Sequence, residues 1–230
     1  MDRAGVTNVV AVTNQRHGRS GQGAPFNHQR ERIRLAAVQL FTRQGFAGTS
    51  MKELARNLDM APANVYNYYS NKESILFDVL EHQLLGTVEC NRQTINEQSA
   101  PQERLRGLAR NLVMSDLNDP MAAFVGIQGV KGLSEGNLAY ISRLMADIRA
   151  LWVSVIADGI ESGVFHVDDE RLCALSVLTL CSSVSTWFRP EGEYSAEYVA
   201  DEIAAMALRM AGYRPLSDAI TASPANHEHP

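Results

Sequence analysis

The sequence predicts an all-α protein, with a small helical domain at the N-terminal end and a larger helical domain behind it. Apolar residues recur at helical spacing through most of the chain, and capping residues, prolines and glycines mark the helix ends. Charge divides the chain in the same way. Residues 1–72 hold ten Lys and Arg against four Asp and Glu, whereas residues 73–230 hold eleven against twenty-two. A basic end and an acidic remainder are typical of a protein in which only one end meets phosphate groups.

The length of 230 residues and the apolar content of 45% are ample for one large domain or two small ones. No run of about 18 apolar residues exists, so no membrane span is predicted. Residues 1–27 contain only a brief apolar run without a small-residue cleavage site, which favours a disordered arm over a signal peptide. The polar tail at residues 213–230 is also predicted to be disordered.

A first helix is predicted from about residue 27 to residue 44, with Gly45 at the position where a C-terminal glycine commonly ends a helix. Three arginines fall on its polar side near its N-terminal end, at Arg30, Arg32 and Arg34. The residues of its core face are Ile33, Ala37, Leu40 and Phe41.

Residues 50–72 predict a short helix, a tight turn, a second short helix and the capped start of a third. Ser50 is a good N-cap, and Glu53 can close a capping box back onto it. Asp59 tolerates a left-handed backbone in the turn, and Pro62 fits only the first turn of a new helix. Two short helices joined in this way are the helix-turn-helix pattern, whose second helix enters the major groove of DNA.

This stretch resembles the N-terminal DNA-binding domain of the TetR family of bacterial transcriptional regulators. Three positions depart from the family pattern: Asp59 stands where Gly is common, Ala61 where a Ser or Thr cap is usual, and Tyr69 where Phe is usual. The resemblance implies a DNA-binding domain at residues 28–88, with the helix-turn-helix at about 50–69. The matching residues are Phe41, Gly45, Thr49, Leu54, Ala55, Val65, Tyr66, Tyr69, Lys72 and Glu73.

The residues predicted to contact DNA surround the second helix of the motif. Asn64 can bond an adenine edge, and Ala63 can touch a thymine methyl group. Lys72 follows the helix cap Asn71, so it lies at a helix N-terminus that favours an anion. The resemblance implies phosphate contacts for four residues, Thr49, Tyr66, Tyr68 and Lys72. The full predicted set is Thr49, Ser50, Pro62, Ala63, Asn64, Tyr66, Asn67, Tyr68 and Lys72.

Other interpretations of these residues stay open. Each tyrosine can instead pack on the domain surface, and Tyr69 matches a core aromatic position. Lys72 can be a solvated charge at a helix end. The arm carries Arg3, Arg16 and Arg19, so it is either a solvated tail or a segment that follows the DNA backbone or enters the minor groove.

Residues 89–212 are predicted to form a helical ligand-binding and dimerisation domain. Pro101 opens one helix, and a shorter one follows at about 121–132. The clearest amphipathic period begins at Ile141 and ends before the glycines at 159 and 163. Two last helices are predicted at 169–188 and 195–211.

The helix at 169–188 is apolar on nearly every side, and such a helix must be buried on nearly every side. A second subunit is the expected cover for its outer face. TetR-type regulators dimerise through their last two long helices, so the resemblance implies a homodimer formed through residues 169–211. Twofold symmetry then places two recognition helices roughly 34–36 Å apart on a near-palindromic operator in double-stranded DNA.

The second domain resembles the branch of TetR regulators that controls fatty-acid and steroid catabolism and responds to CoA thioesters. The matching residues are Trp152, Gly159, Gly163, Phe165, Trp187, Phe188, Arg189, Pro190 and Gly192. A CoA ligand brings several phosphate charges, yet residues 172–188 contain no basic residue. A purely apolar or aromatic effector therefore remains an equal alternative to an acyl-CoA, and plain core packing is the alternative for each candidate residue. The ligand-binding candidates are Met114, Phe124, Met145, Arg149, Trp152 and Trp187.

Several other classes are not favoured by the sequence. The six histidines show no metal-ligand spacing, and no nucleophile motif or glycine-rich phosphate loop is present, so no enzyme, cofactor or metal site is predicted. Cys173 and Cys181 share a helical face, as expected for buried thiols in a reducing cytoplasm. The expected place is the bacterial cytoplasm, on the nucleoid when DNA is bound. The main alternative to a ligand-responsive repressor is an all-helical protein-interaction adaptor.

Overall fold

The computed structural model describes residues 24–118, 130 and 132–214, and these residues form eight α-helices and no strand. The predicted all-α fold is confirmed. The arm up to residue 23, the tail from residue 215 and most of the predicted helix at 121–132 lie outside the described residues. In chain order the helices are α1 (Ala24–Gly48), α2 (Met51–Asn57), α3 (Pro62–Tyr66), α4 (Lys72–Glu97), α5 (Pro101–Asn118), α6 (Glu135–Glu161), α7 (Glu170–Trp187) and α8 (Ala196–Met210).

Helices α1 to α3 and the first turns of α4 form a small head around one apolar core. The Ser50 cap, the turn at Asp59 and the start at Pro62 act as predicted, whereas the return bond from the Glu53 side chain to Ser50 is not among the hydrogen bonds of the described residues. Ser50 Oγ accepts the Glu53 N–H at 3.2 Å, Asp59 has a φ of 54°, and Pro62 is the first residue of α3. The buried residues that join these helices are Phe41, Leu54, Val65, Tyr69 and Leu76.

Helix α1 is longer than predicted at both ends. It begins at Ala24, three residues before the expected start at residue 27. Gly45 leaves the helical conformation, with a φ of 79° and a ψ of 158°, and one further turn reaches Gly48. The predicted glycine break is therefore present, but the chain continues as a turn of helix toward α2.

Helix α4 joins the head to the rest of the molecule. Asn71 caps it in a reciprocal box, since its side chain accepts the Ser74 N–H at 2.8 Å and its own N–H donates to Ser74 Oγ at 3.3 Å. Along its length α4 packs against α1 in the head and against α5 and α6 in the body. Its buried residues run from Ile75 in the head to Thr94 in the body.

The body consists of α5 to α8 together with the C-terminal part of α4. Helix α5 packs on α7 and α8, and α6 packs on α4 and α7. The amphipathic period of α6 is confirmed, with Trp152 and Ile156 fully buried on its inner face. At its end Gly159 lies against Phe165, where an added Cβ atom would stand 2.0 Å from the ring.

The near-complete burial predicted for α7 is not reached within one chain. Its inner side is buried, but Leu172 and Leu175 are 61% and 53% exposed. Tyr198, Met206 and Met210 of the neighbouring α8 are exposed as well. Among the described residues no helix is long and apolar enough to cross a bilayer.

Candidate nucleic-acid interface and ligand cavity

Helix α3 presents its polar side outward because a single inward residue anchors it. Val65 is fully buried in the head core, whereas Tyr66 is 51% exposed. Four further residues of the predicted DNA-contacting set are exposed on the same helix or directly after it: Pro62, Ala63, Asn64 and Asn67.

Tyr68 closes α3 onto the start of α1. Its ring centroid lies 4.7 Å from that of Phe26, and the side chain is half-buried. Beside it a polar cleft opens, lined by Gln29 and Arg32 of α1 and by Asn64 and Asn67. Gln29 was not among the predicted contacts, because nothing in its spacing sets it apart from other polar residues of α1.

Two of the three arginines predicted near phosphates are committed elsewhere. Arg30 Nη2 lies 2.6 Å from Asp78 Oδ1 on α4, and Arg34 Nη1 lies 3.6 Å from Asp78 Oδ2. Tyr69 donates its hydroxyl to Asp78 at 2.5 Å, and burial first and this bond second raise its pKa well above the ordinary range. Arg32 alone of the three is exposed, with its guanidinium bonded to Gln29 at 3.0 Å.

The phosphate contact expected of Thr49 is not supported, because its donors face inward. Thr49 is 3% exposed. Its hydroxyl donates to the Gly45 carbonyl at 3.0 Å, and its N–H donates to the Phe46 carbonyl at 3.3 Å. Thr49 therefore closes the turn between α1 and α2, while the neighbouring Ser50 stays exposed as the cap of α2.

Lys72 is turned toward the same turn. Its ammonium group donates to the carbonyls of Phe46, Ala47 and Thr49 at 2.7, 3.3 and 2.9 Å. It also lies 4.5 Å from the centre of the Phe46 ring. An ammonium has three donors, and all three are used here. A phosphate contact by Lys72 requires that one of these bonds be exchanged or shared.

Glu73, the next residue, binds the body. Its carboxylate accepts the Ser134 N–H at 2.7 Å and the Asn137 amide at 2.9 Å, both at the start of α6. Hydrogen bonding from the Ser134 hydroxyl first, then from the Ser134 N–H and the Asn137 amide, lowers the pKa of Glu73. Nearby, Gly132 has a φ of 122° and lies so close to the Phe46 ring that a Cβ atom would be 2.5 Å away. The first turn of α4 is thus bonded to the head on one side and to α6 on the other.

A cavity of about 700 Å³ lies in the body, enclosed by residues of α4, α5, α6 and α7. Its wall is largely apolar, which is typical of small-molecule sites. Of the predicted ligand-binding residues, Met145, Arg149 and Trp152 line it. Met114 and Trp187 are not among its described lining residues, and Phe124 lies outside the described residues.

Polar residues of the cavity were missed by the sequence analysis. Asn91 of α4 and Asp116 of α5 are buried in its wall. Burial and then the charge of Asp116 raise the pKa of the Cys181 thiol to about 12. Cys173 and Cys181 are free and buried, as predicted. Among the described residues no cluster of His, Cys, Asp and Glu could hold a metal ion.

Comparison with known proteins places both halves of the chain. Residues 33–79 match the family model for bacterial regulatory proteins of the tetR family, and residues 98–211 match that for the tetracyclin repressor-like C-terminal domain. The solved TetR-family regulator PfmR from Thermus thermophilus is 31% identical and superposes with a TM-score of 0.71. The match covers 77% of this chain and 97% of the PfmR chain. This chain belongs to the TetR family. It is a helix-turn-helix transcriptional regulator, because the family and its relatives are regulators and not enzymes.

The similar proteins include a ketosteroid transcriptional regulator and a fatty acid metabolism regulator protein. The transcriptional repressor KstR2 of Mycobacterium tuberculosis is 23% identical over 184 residues, which span 79% of this chain and 92% of KstR2. The regulator AibR, solved with isovaleryl coenzyme A and operator DNA, has a TM-score of 0.71 at 23% identity, covering 77% of this chain and 97% of AibR. These relatives match the predicted branch of fatty-acid and steroid catabolism.

Proposed function

We propose that the protein is a homodimeric repressor that binds a near-palindromic operator and is released from it by a small effector. In this proposal residues 28–88 bind DNA and residues 89–212 bind the effector and the second subunit. The observation that carries the proposal is the continuity of α4. This helix begins at the outward-facing recognition helix and ends as a wall of the cavity.

The exposed apolar face of α7 and α8 supports the homodimer. Leu172 and Leu175 of α7 and Tyr198, Met206 and Met210 of α8 are exposed in the single chain. Exposed patches of this kind mark interfaces. Burying them against a second copy gives the closed, self-complementary contact that a twofold dimer requires.

The first turn of α4 supports the coupling between effector and DNA. Lys72 is bonded to the turn that leads into α2, and Glu73 is bonded to the start of α6, whose Trp152 lines the cavity. A ligand that shifts α6 or α4 changes both sets of bonds. Operator affinity then falls by the ratio of the effector's affinities for the two conformations, and by no more.

Two effector classes fit the cavity. AibR, of the same fold, binds an acyl-CoA, and the apolar wall suits the acyl part of such a molecule. Arg149 is the single basic residue among the described lining residues, which is few for a CoA with several phosphate charges. A small hydrophobic molecule is the other class.

The test is a selection of bound sequences from a random DNA pool, followed by gel-shift titration against scrambled competitor. The expected result is a near-palindromic site bound by two chains. Asn67→Ala, exposed on the recognition surface, should relax the selected sequence, whereas Arg106→Ala on the exposed side of α5 serves as a control that should not. Equal affinity for selected and scrambled duplexes would refute the proposal.

A further inference from the structure

Two N–H donors on the cavity wall have no hydrogen-bond partner among the described residues. They are the indole Nε1 of Trp152 on α6 and the amide Nδ2 of Asn91 on α4. Trp152 is 1% exposed and Asn91 is 4% exposed, so water does not reach them freely. A buried donor left unpaired costs about 1–3 kcal/mol. Buried indole N–H groups usually find a partner.

Five other polar side chains of the wall are already bonded within the protein. Thr179, Ser183 and Thr186 of α7 donate their hydroxyl protons to carbonyls of their own helix, at 2.8, 2.7 and 2.7 Å. Thr87 of α4 does the same at 3.0 Å, and the Asn111 amide donates to Thr94 Oγ1 at 3.0 Å. Each of these five side chains would have to give up an existing bond to donate to a ligand.

Arg149 is a further donor of the wall, and it carries a charge. It is exposed, lines the cavity, and makes no ion pair within the part of the chain that the structure describes. Asp116 is the acidic residue of the wall and already has an interaction of its own. The two buried side-chain atoms of the wall that lack a partner among the described residues are thus both donors, and the exposed Arg149 adds a positive charge.

We propose that the effector is an apolar molecule that carries a carbonyl or carboxyl oxygen, and that Trp152 and Asn91 donate to this oxygen. This inference rests on the proposed effector response and narrows it. An indole N–H can only donate, so its partner must be an acceptor. Leu84, Met145 and Ile148 of the wall hold the apolar part, and Arg149 attracts whatever negative charge the ligand carries. Hydrocarbons without an oxygen acceptor are excluded by this assignment.

Calorimetric titration with four probes of one chain length tests the assignment: decanoate, decanoyl-CoA, 2-decanone and decylamine. The first three carry the oxygen on a carboxylate, a thioester and a ketone, and so distinguish its possible sources. Decylamine tests the competing possibility, that Asp116 binds a cationic ligand. At least one oxygen-bearing probe should bind the wild-type protein, and decylamine should not.

The variants Asn91→Leu and Trp152→Phe remove the unpaired donors and keep apolar side chains of similar shape. Each should weaken the oxygen-bearing probe by roughly tenfold, the amount expected of one lost hydrogen bond in a dry site. Thr179→Val removes a wall hydroxyl that is already bonded to its own helix, and should leave affinity within about twofold. Without ligand, Asn91→Leu should melt at or above the wild-type temperature, because it deletes an unpaired donor.

Three results would overturn the assignment: unchanged affinity in both donor variants, binding of decylamine alone, or no binding of any oxygen-bearing probe. Operator binding is measured separately by gel shift on the same preparations. A wild-type protein that binds its operator but ignores every probe loses this inference and keeps its DNA-binding role. Failure to bind any operator refutes the proposed function itself.

Discussion

The head and the body differ in how completely each satisfies its own side chains. In the head, Lys72, Thr49 and the arginines around Asp78 direct donors inward, onto carbonyls or a carboxylate, and Arg34 Nε is the one buried side-chain donor of the described head without a partner. In the body, Trp152 and Asn91 lack partners among the described residues, and an apolar face on α7 and α8 is exposed. The head thus pairs nearly all of its buried polar atoms and presents a polar surface. In the proposed function, a ligand and a second subunit complete the body.

The largest expected effect comes from placing a charge on the exposed apolar face of α7 and α8. Leu172→Glu places a charge on a side chain that is 61% exposed, so one chain should tolerate it. A dimer that buries this face should dissociate. Operator affinity should then fall by at least about a hundredfold, because simultaneous binding of two half-sites adds a factor on the order of 10²–10⁴.

Light scattering and gel shift measure the two consequences. Leu85→Glu, at an exposed apolar position of α4, serves as the matched control and should remain dimeric. A dimer of unaltered operator affinity in Leu172→Glu would mean that another surface joins the subunits.

The next prediction concerns the polar cluster inside the head, in which Asp78 is the shared partner of two arginines and a tyrosine. Asp78→Ala leaves Arg30, Arg34 and Tyr69 without their shared partner and should lower the free energy of unfolding by about 2–3 kcal/mol. Chemical denaturation followed by circular dichroism measures it, with Glu89→Ala on the exposed side of α4 as control.

The same cluster predicts that the free energy of unfolding falls at alkaline pH. The raised pKa of Tyr69 means that the folded state keeps a proton which the unfolded state loses above pH about 10. This contribution to stability is complete below that pH and disappears as pH rises toward the folded-state pKa. Tyr69→Phe should flatten the fall in stability above pH 10, and an unchanged profile would show that the hydroxyl is not protected.

The smallest expected effect distinguishes a residue that contacts DNA, Tyr66, from a residue that stabilises the fold of the head, Lys72. Tyr66→Ala should weaken binding to all duplexes alike, by roughly tenfold, and leave the melting temperature unchanged, since its ring is exposed. Lys72→Ala should lower the melting temperature as well, because three carbonyls lose their donor. The double variant should also show a flatter salt dependence of binding.

Arg106→Ala, remote from the head on the exposed side of α5, is the control for both Tyr66→Ala and Lys72→Ala. A Lys72→Ala protein with normal stability and a salt slope reduced by about one would restore the simpler interpretation of Lys72 as a phosphate contact.

Local signals explain why the head could be predicted so closely from sequence. The Ser50 cap, the left-handed Asp59 and Pro62 at a first turn each act within a few residues, and the structure confirms all three. The committed arginines could not be predicted, because Arg30 meets Asp78 across 48 residues of chain. The Thr49 contact was expected from resemblance alone, and its burial depends on how α1 ends.

The cavity was only partly predictable. Met145, Arg149 and Trp152 share a helix whose period is plain in the sequence, so one wall could be inferred. Asn91 looks like any other polar residue of a long helix until α5 and α6 pack over it. Which donors stay unpaired depends on how the core assembles, and the spacing of residues in the sequence does not predict it.

Lys72 and Glu73 are consecutive, yet one is bonded to the head and the other to α6. Neighbouring residues on an α-helix point about 100° apart around its axis. A small roll of α4 must therefore loosen one attachment while it strains the other. Effector binding would then act through a rotation of α4 about its axis. The bonds of Lys72 and Glu73 would change before the distance between the two recognition helices does.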